Sequence, residues 1–218
     1  MVEAVLIAGG SGGIGSAVAR RLAAAGLKPL VGYGRNRAAA EALGWAIPLD
    51  MSDPAAIDAA VEEAAKEPLL GLVLAASPPP VLAPFGQIAA DDMEHQWRIN
   101  VVGAQRLLAG IVKRCFRPRK KGIAVAVLTA AMGDGKMAAM PNLGAYVIAK
   151  YGLQGVMAAA AAEYPWLETH LVRPGFTETA MLDAFDPRFL DLLRAKKSFA
   201  APETVAEDIC APFMADIP

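Results

Sequence analysis

The stretch Val5-Leu6-Ile7-Ala8-Gly9-Gly10-Ser11-Gly12-Gly13-Ile14-Gly15, running straight into Ser16-Ala17-Val18-Ala19-Arg20-Arg21-Leu22-Ala23, decides the fold. Its apolar opening suits a buried strand, and its alanine-rich close suits a helix. Glycine turns the chain tightly and lets a ligand come close to the backbone. A helix N-terminus adds unpaired N–H groups and the positive end of the helix dipole. Strand, glycines and helix in this order form a site for a phosphate-bearing nucleotide across Gly9, Ser11, Gly13, Ile14 and Gly15. The plainer alternative is a glycine-rich connector in an α/β protein.

The same alternation continues along the chain. Short apolar runs near 4–8, 29–33, 45–49, 70–75, 123–129 and 169–173 predict strands. Patterns near 14–25, 37–43, 54–66, 91–116, 145–163, 186–195 and 202–214 predict helices. Together they predict an α/β protein with a doubly wound parallel sheet and helices on both faces. Residues 1–218 read as a single domain, because that length suits one buried core and no repeat or linker divides it. Asp53 before Pro54 predicts a capped helix start, and Gly26 predicts a left-handed helix end. Pro78-Pro79-Pro80 follows the fourth strand at the edge where such sheets bind ligands, and it stiffens a loop there.

Hydrophobic residues make up 55% of the chain and aromatics only 6%; the excess is mostly alanine, which points to closely packed helices. No uninterrupted apolar run is long enough to span a membrane and no charged leader precedes Val5, so a soluble, cytoplasmic protein is expected. A net charge of −1 provides no basic field for nucleic acid. The basic run Arg114 to Lys121 reads as a helix end and loop, helped by Pro118, ahead of a phosphate or partner site. Cys115 and Cys210 have no metal-ligand spacing and read as reduced thiols in or near the core, so no metal is expected. His95 and His170 belong to no motif and read as structural.

Tyr146 and Lys150 sit four apart near the start of a predicted helix, so they share one face. A lysine ammonium close to a phenol favours the phenolate and lowers its pKa toward the working range. Such a pair can give a proton to a carbonyl oxygen while hydride reaches the carbon, or take one in reverse. Alone, Tyr-x-x-x-Lys is common as an ordinary surface pair; its weight comes from its place in the chain.

Gly9-x-x-x-Gly13-x-Gly15 followed much later by Tyr146-Val147-Ile148-Ala149-Lys150 resembles the short-chain dehydrogenase/reductase family, over essentially the whole chain. The resemblance implies a Rossmann-like fold and a nicotinamide dinucleotide. Asp50, followed by Met51, resembles the family's aspartate at the adenine ring. Asn100, in Trp97-Arg98-Ile99-Asn100-Val101, resembles the helix asparagine whose backbone kink holds a proton-relay water near the lysine. Arg173-Pro174-Gly175-Phe176-Thr177-Glu178-Thr179 resembles the segment along the nicotinamide, which implies contacts from Pro174, Gly175, Thr177 and Thr179.

Three departures stand beside these matches. Aligned by the fifth strand, Ala130 falls where the family carries a catalytic serine, and Tyr146 lies farther along than the family spacing. Thr129 is one residue too early and points to the opposite face of a regular strand; it can substitute only if the strand end bends. The family's Asn-Asn-Ala-Gly becomes Leu74-Ala75-Ala76-Ser77, which leaves Ala75 and Ala76 beside the cofactor and replaces asparagine hydrogen bonds by apolar packing. No run for the family's seventh strand follows residues 202–214, so a six-stranded sheet is expected. Homodimer formation through helices 91–116 and 145–163 remains open, with packing of the alanine run 158–162 on its own sheet as the alternative.

The nucleotide follows from Gly32-Tyr33-Gly34-Arg35-Asn36-Arg37 at the end of the second strand. No acidic residue stands there for a ribose 2′-hydroxyl, whereas Arg35 and Arg37 suit a 2′-phosphate, so NADP is favoured over NAD. Met181, Leu182, Phe185, Phe189 and Leu190 either line an apolar substrate pocket or form the buried face of a lid, and Met132, Met137 and Met140 can approach the substrate too. The expected activity is NADP(H)-dependent reduction of a small apolar ketone or aldehyde, with Tyr146, Lys150, Asn100 and Thr129 as the catalytic candidates. The alternatives are nucleotide binding with little redox turnover, and imine reduction or redox-neutral chemistry on the same scaffold.

Overall fold

Six runs of apolar sequence form strands β1 (Ala4–Ala8), β2 (Lys28–Tyr33), β3 (Trp45–Pro48), β4 (Leu69–Leu74), β5 (Gly122–Val127) and β6 (Leu167–Val172). In the computed structural model, which describes residues 2–196 and 198–215, they pair in parallel in the order β3-β2-β1-β4-β5-β6. β1, β4 and β5 are buried at every position, because helices cover both faces of the sheet.

Those helices are α1 (Gly13–Ala24), α2 (Arg37–Glu41), α3 (Pro54–Ala64), α4 (Ala90–Trp97), α5 (Ala104–Ile111), α6 (Gly144–Glu163), α7 (Pro187–Arg194) and α8 (Pro202–Met214). Strand side chains alternate between two cores. Leu6, Leu30 and Leu72 face Ile57, Leu107, Ile111 and Leu153 of α3, α5 and α6. Val5, Ile7 and Val73 face Val18, Leu22, Ile209 and Phe213 of α1 and α8. Asp53 caps α3 by accepting from the Ala55 N–H at 2.8 Å, and Gly26 ends α1 at φ +82°, as their residue types predict.

Element boundaries shift from the sequence expectation by one or two residues, and one helix changes character. The span 91–116 is a continuous helical rod, but Arg98–Gly103 and Val112–Phe116 are widened π turns. Gly103 lies against the loop after β3: a Cβ there would stand 2.1 Å from the Met51 carbonyl oxygen. The basic run is a helix end, with Arg114 paired to Glu62 and Arg119 donating to the Leu69 carbonyl. Cys115 is half-buried and Cys210 buried, and burial pushes both thiols up to about 11, which keeps them protonated and unreactive. No helix among the described residues is long and apolar enough to cross a membrane.

The strand order reverses between β2 and β4, on either side of β1. A crevice opens at the C-terminal ends of the strands at such a switch point. The exits of β1, β4 and β5 all lead into it.

Candidate active site

The first wall of the crevice is made of backbone. Gly9 turns at φ +78°, and a Cβ on Gly15 would stand 2.2 Å from the Gly9 carbonyl oxygen, so the turn folds directly onto α1. No side chain caps α1 at Gly12 and no acidic residue stands in its first turn. Its leading N–H groups therefore face outward without an intrahelical partner, in a positive local field. Neighbouring elements press close: a Cβ on Gly9 would stand 2.7 Å from Ala76 Cα, and one on Gly13 would stand 2.4 Å from Thr179 Cγ2. The structure thus brings Ala76 and Thr179, far apart in sequence, onto the glycine turn. Ser11 lies half-buried at its crest.

At the end of β2, Arg35 is exposed, and its charge acts on the Asp50 carboxylate. Arg37 is exposed too, and its Nε donates to Glu41 at 2.7 Å, one turn along α2. Asp50 accepts from the Ser52 N–H at 2.8 Å and hydroxyl at 2.7 Å, which holds its carboxyl below the usual range. Met51 beside it is buried.

The second wall is made of side chains. Tyr146 and Lys150 share the inward face of α6, and Lys150 is only 2% exposed. Lys150 Nζ donates to the Val127 carbonyl at 2.9 Å and lies 5.5 Å from the Tyr146 ring centre. Burial without a carboxylate partner drives its pKa down to about 7. Burial also pushes the Tyr146 phenol up to about 12, against the lowering effect of a hydrogen bond with Thr129. Desolvation pushes both groups toward their neutral forms. A lysine near 7 is divided between charged and neutral forms at neutral pH, so a charged share remains to act on the phenol.

The surroundings of Thr129 follow from how β5 ends. β5 ends at Val127; Leu128 still donates to Val172 at 2.8 Å, but Ala130–Met132 form a tight 3₁₀ turn. Thr129 caps that turn, its hydroxyl accepting from the Ala131 N–H at 3.2 Å, while the Ala130 N–H donates to Pro174 at 2.8 Å. Thr129 itself keeps an extended backbone and the bend begins at Ala130; Thr129 lines the same cavity as Tyr146, whose hydroxyl donates to Met181 Sδ at 3.9 Å.

Asn100 lies in the first π turn, 1% exposed. Its Nδ2 donates to the Gln96 backbone carbonyl at 3.1 Å and to Gln96 Oε1 at 3.0 Å, and its Oδ1 is buried with no partner among the described residues. Gln96, missed by sequence reasoning, is equally buried and donates from Nε2 to the Pro79 carbonyl at 2.9 Å. Two signals mark it in the sequence. It stands one helical turn before Asn100, and a run of three prolines has carbonyls to satisfy but no N–H groups of its own.

Both walls open on one cavity of about 270 Å³. Ile14, Ala75, Thr129, Ala130, Tyr146, Lys150, Pro174, Gly175, Thr177 and Thr179 line it, with Ser77, Met140, Leu143, Met181, Leu182 and Phe185 completing the walls. Lys150 and Tyr146 are the only ionisable side chains among them. The predicted lid divides its labour: Met181, Leu182 and Phe185 face the cavity, while Leu190 packs in the core and Phe189 packs edge-on against Phe176. Of the three methionines before Tyr146, Met140 reaches the cavity, Met132 is in the core and Met137 is exposed.

A sequence model of the family described as short chain dehydrogenase matches residues 3–188. The chain belongs to this family. Its members bind NAD(P), and the fold is that of the family's oxidoreductases. Among relatives, it is 26% identical over 210 residues to the cyclic-di-GMP-binding biofilm dispersal mediator protein of Escherichia coli (strain K12), covering 94% of this chain and 86% of that one. Among solved structures, it superposes on an alcohol dehydrogenase from Thermococcus sibiricus complexed with 5-hydroxy-NADP, with a TM-score of 0.83, 18% identity, and 98% and 91% of the two chains covered. The 3-ketoacyl-(acyl-carrier-protein) reductase from Brucella melitensis complexed with NADH gives 0.84, 24%, 98% and 90%. At these identities the structural likeness establishes the shared fold.

Proposed function

We propose that this chain is an NADP(H)-dependent reductase of a neutral, apolar ketone or aldehyde. The observation that carries the proposal is the buried Tyr146–Lys150 pair, with the Thr129 hydroxyl beside the phenol, opening on a cavity without other ionisable groups.

The residues fit a nicotinamide dinucleotide. An uncapped helix N-terminus behind a glycine turn that has no room for side chains suits a pyrophosphate, and a buried lysine without a carboxylate suits a polar ligand. The turn from Gly9 to Gly15 would hold the pyrophosphate, Asp50 and Met51 the adenine end, and Pro174, Gly175, Thr177 and Thr179 the nicotinamide end. Arg35, with no acidic residue at the end of β2, favours a 2′-phosphate and hence NADP. When bound, the dinucleotide supplies the hydride.

The chain's own residues supply the proton and its setting. Tyr146 donates the phenolic proton to the substrate oxygen. Thr129 donates a second hydrogen bond to that oxygen, the role the family resemblance assigns to a serine, so the methyl of Ala130 leaves no gap. Lys150 in its charged form stabilises the resulting phenolate. Asn100 and the widened turn around it shape the proton path behind Lys150. The exposed side chains of Trp97, Val102 and Tyr151 on the α4–α5 rod and α6 fit a homodimer, which sedimentation velocity tests.

Stopped-flow mixing with a panel of neutral carbonyl compounds tests the reaction. NADPH oxidation that disappears in Tyr146→Phe is expected, with deuterium passing from 4-deuterated NADPH into the product. No oxidation with any member of the panel overturns the proposal, and turnover without isotope transfer replaces it by redox-neutral chemistry.

A further inference from the structure

A chain of amides leads from the proline run to Asn100, and its direction is set at the proline end. Pro78, Pro79 and Pro80 have no N–H groups, so the backbone there can only accept. Residues Leu74 to Pro80 carry no side-chain amide of their own. The donor comes from α4: Gln96 Nε2 donates to the Pro79 carbonyl at 2.9 Å and, more weakly, to the Pro78 carbonyl at 3.4 Å. With Nε2 turned to the prolines, Gln96 Oε1 faces Asn100 and calls for a donor. Asn100 Nδ2 meets it at 3.0 Å and also donates to the Gln96 backbone carbonyl at 3.1 Å, which spends both hydrogens. Oδ1 is left pointing away from Gln96, buried and without a partner among the described residues.

Neither amide can turn over by itself. Reversing Gln96 sets an acceptor against the proline carbonyls, and reversing Asn100 sets one against Gln96 Oε1. Gln96 is only 2% and Asn100 only 1% exposed, so bulk water is not there to offset the lost bonds. The π turn that carries Asn100 packs along α6, which carries Lys150. We propose that Gln96 is a positioning residue for the reduction: it fixes the Asn100 amide so that the turn presents an acceptor, never a donor, to the proton path. An acceptor holds a proton carrier by its hydrogen, whereas a donor in the same place turns it away. The proposal rests on Asn100 belonging to the proton path of the proposed reductase. It adds that the proline run decides, through one glutamine, which way that amide points.

Nitrogen-15 NMR of the full chain reads the amide order without requiring turnover. The Asn100 Nδ2 hydrogens are expected to exchange slowly with water, and about tenfold faster in Gln96→Met, which keeps the side chain's length but not its amide. In that variant kcat is expected to fall about tenfold at every pH while KM holds. Gln96→Glu separates positioning from packing. Protonated, its carboxyl donates to Pro79 and accepts from Asn100 as the amide does; ionised, it can only accept and opposes the proline carbonyl. Its kcat is therefore expected to match wild type at low pH and to fall as pH rises through the ionisation of the new carboxyl, a limb absent from wild type and from Gln96→Met. Unchanged Asn100 exchange or wild-type kcat in Gln96→Met overturns the proposal, as does a Gln96→Glu profile without the new limb. Where Gln96→Met fails to fold, the Gln96→Glu profile alone decides. If the exchange rates behave as expected but wild type oxidises no NADPH, the reductase reading fails while the amide order stands.

Discussion

At the glycine turn the crevice is made of backbone from one short segment, whereas at Tyr146 and Thr129 it is made of side chains carried by separate elements. The difference shows in what each end tolerates. Around Gly9, Gly13 and Gly15 a single added carbon would collide with a carbonyl, the Ala76 backbone or Thr179, so the residue type is dictated by space. Ala130 is exposed, and Thr129, one residue earlier, lines the same cavity as Tyr146. A phosphate site needs N–H groups at a fixed distance. A substrate oxygen needs donors in the right place, and more than one residue can put them there.

Substitutions that act on one end alone test whether the two are separable. Tyr146→Phe is expected to lower kcat roughly a thousandfold while leaving the NADPH dissociation constant unchanged in a fluorescence titration. A parallel loss of NADPH binding breaks the separation. Thr129→Val is expected to cost about a hundredfold in kcat, with Thr129→Ser recovering most of it. If Thr129→Val is silent, the bend does not make up for Ala130. At the other end, Arg35→Ala is expected to weaken NADPH about tenfold and leave NADH unchanged, a contrast that two parallel titrations read directly.

A separate effect, on stability and not on rate, concerns Lys150. Its folded pKa of about 7 lies below its ordinary value of 10.5, so between those values the unfolded chain holds a proton that the folded chain lacks. The cost of burying the ammonium is fully present below about pH 7 and is relieved as pH rises toward 10.5. Urea midpoints should therefore carry a term that rises with pH across this window, and Lys150→Met should remove it. An unchanged pH profile in that variant shows that the ammonium is solvated in the folded protein.

Much of the fold was legible because strand and helix periodicity alternate cleanly, and because Asp53, Gly26 and the glycine turn have only local requirements. Less of the site was legible. Arg37 reads in the sequence only as a phosphate ligand, whereas in the structure its Nε also holds Glu41 one turn away. Thr129 reads as misdirected by alternation alone, yet it lines the same cavity as Tyr146, with the chain bending only at Ala130. Gln96 is marked only by its spacing from Asn100 and by a distant proline run; its role exists only where α4 passes under that run.

The amino-acid sequence by itself determined the parallel α/β sheet, the nucleotide turn at Gly9–Gly15 and the Tyr146–Lys150 pair, since each depends on residues within a few positions of one another. Only the tertiary structure decided the protonation balance of that pair, the meeting of Thr129 and Tyr146 at one cavity and the pinning of Pro78 and Pro79 by Gln96. Desolvation, a strand's end and a hydrogen bond to a proline carbonyl are set by what packs alongside, and those neighbours come from distant parts of the chain.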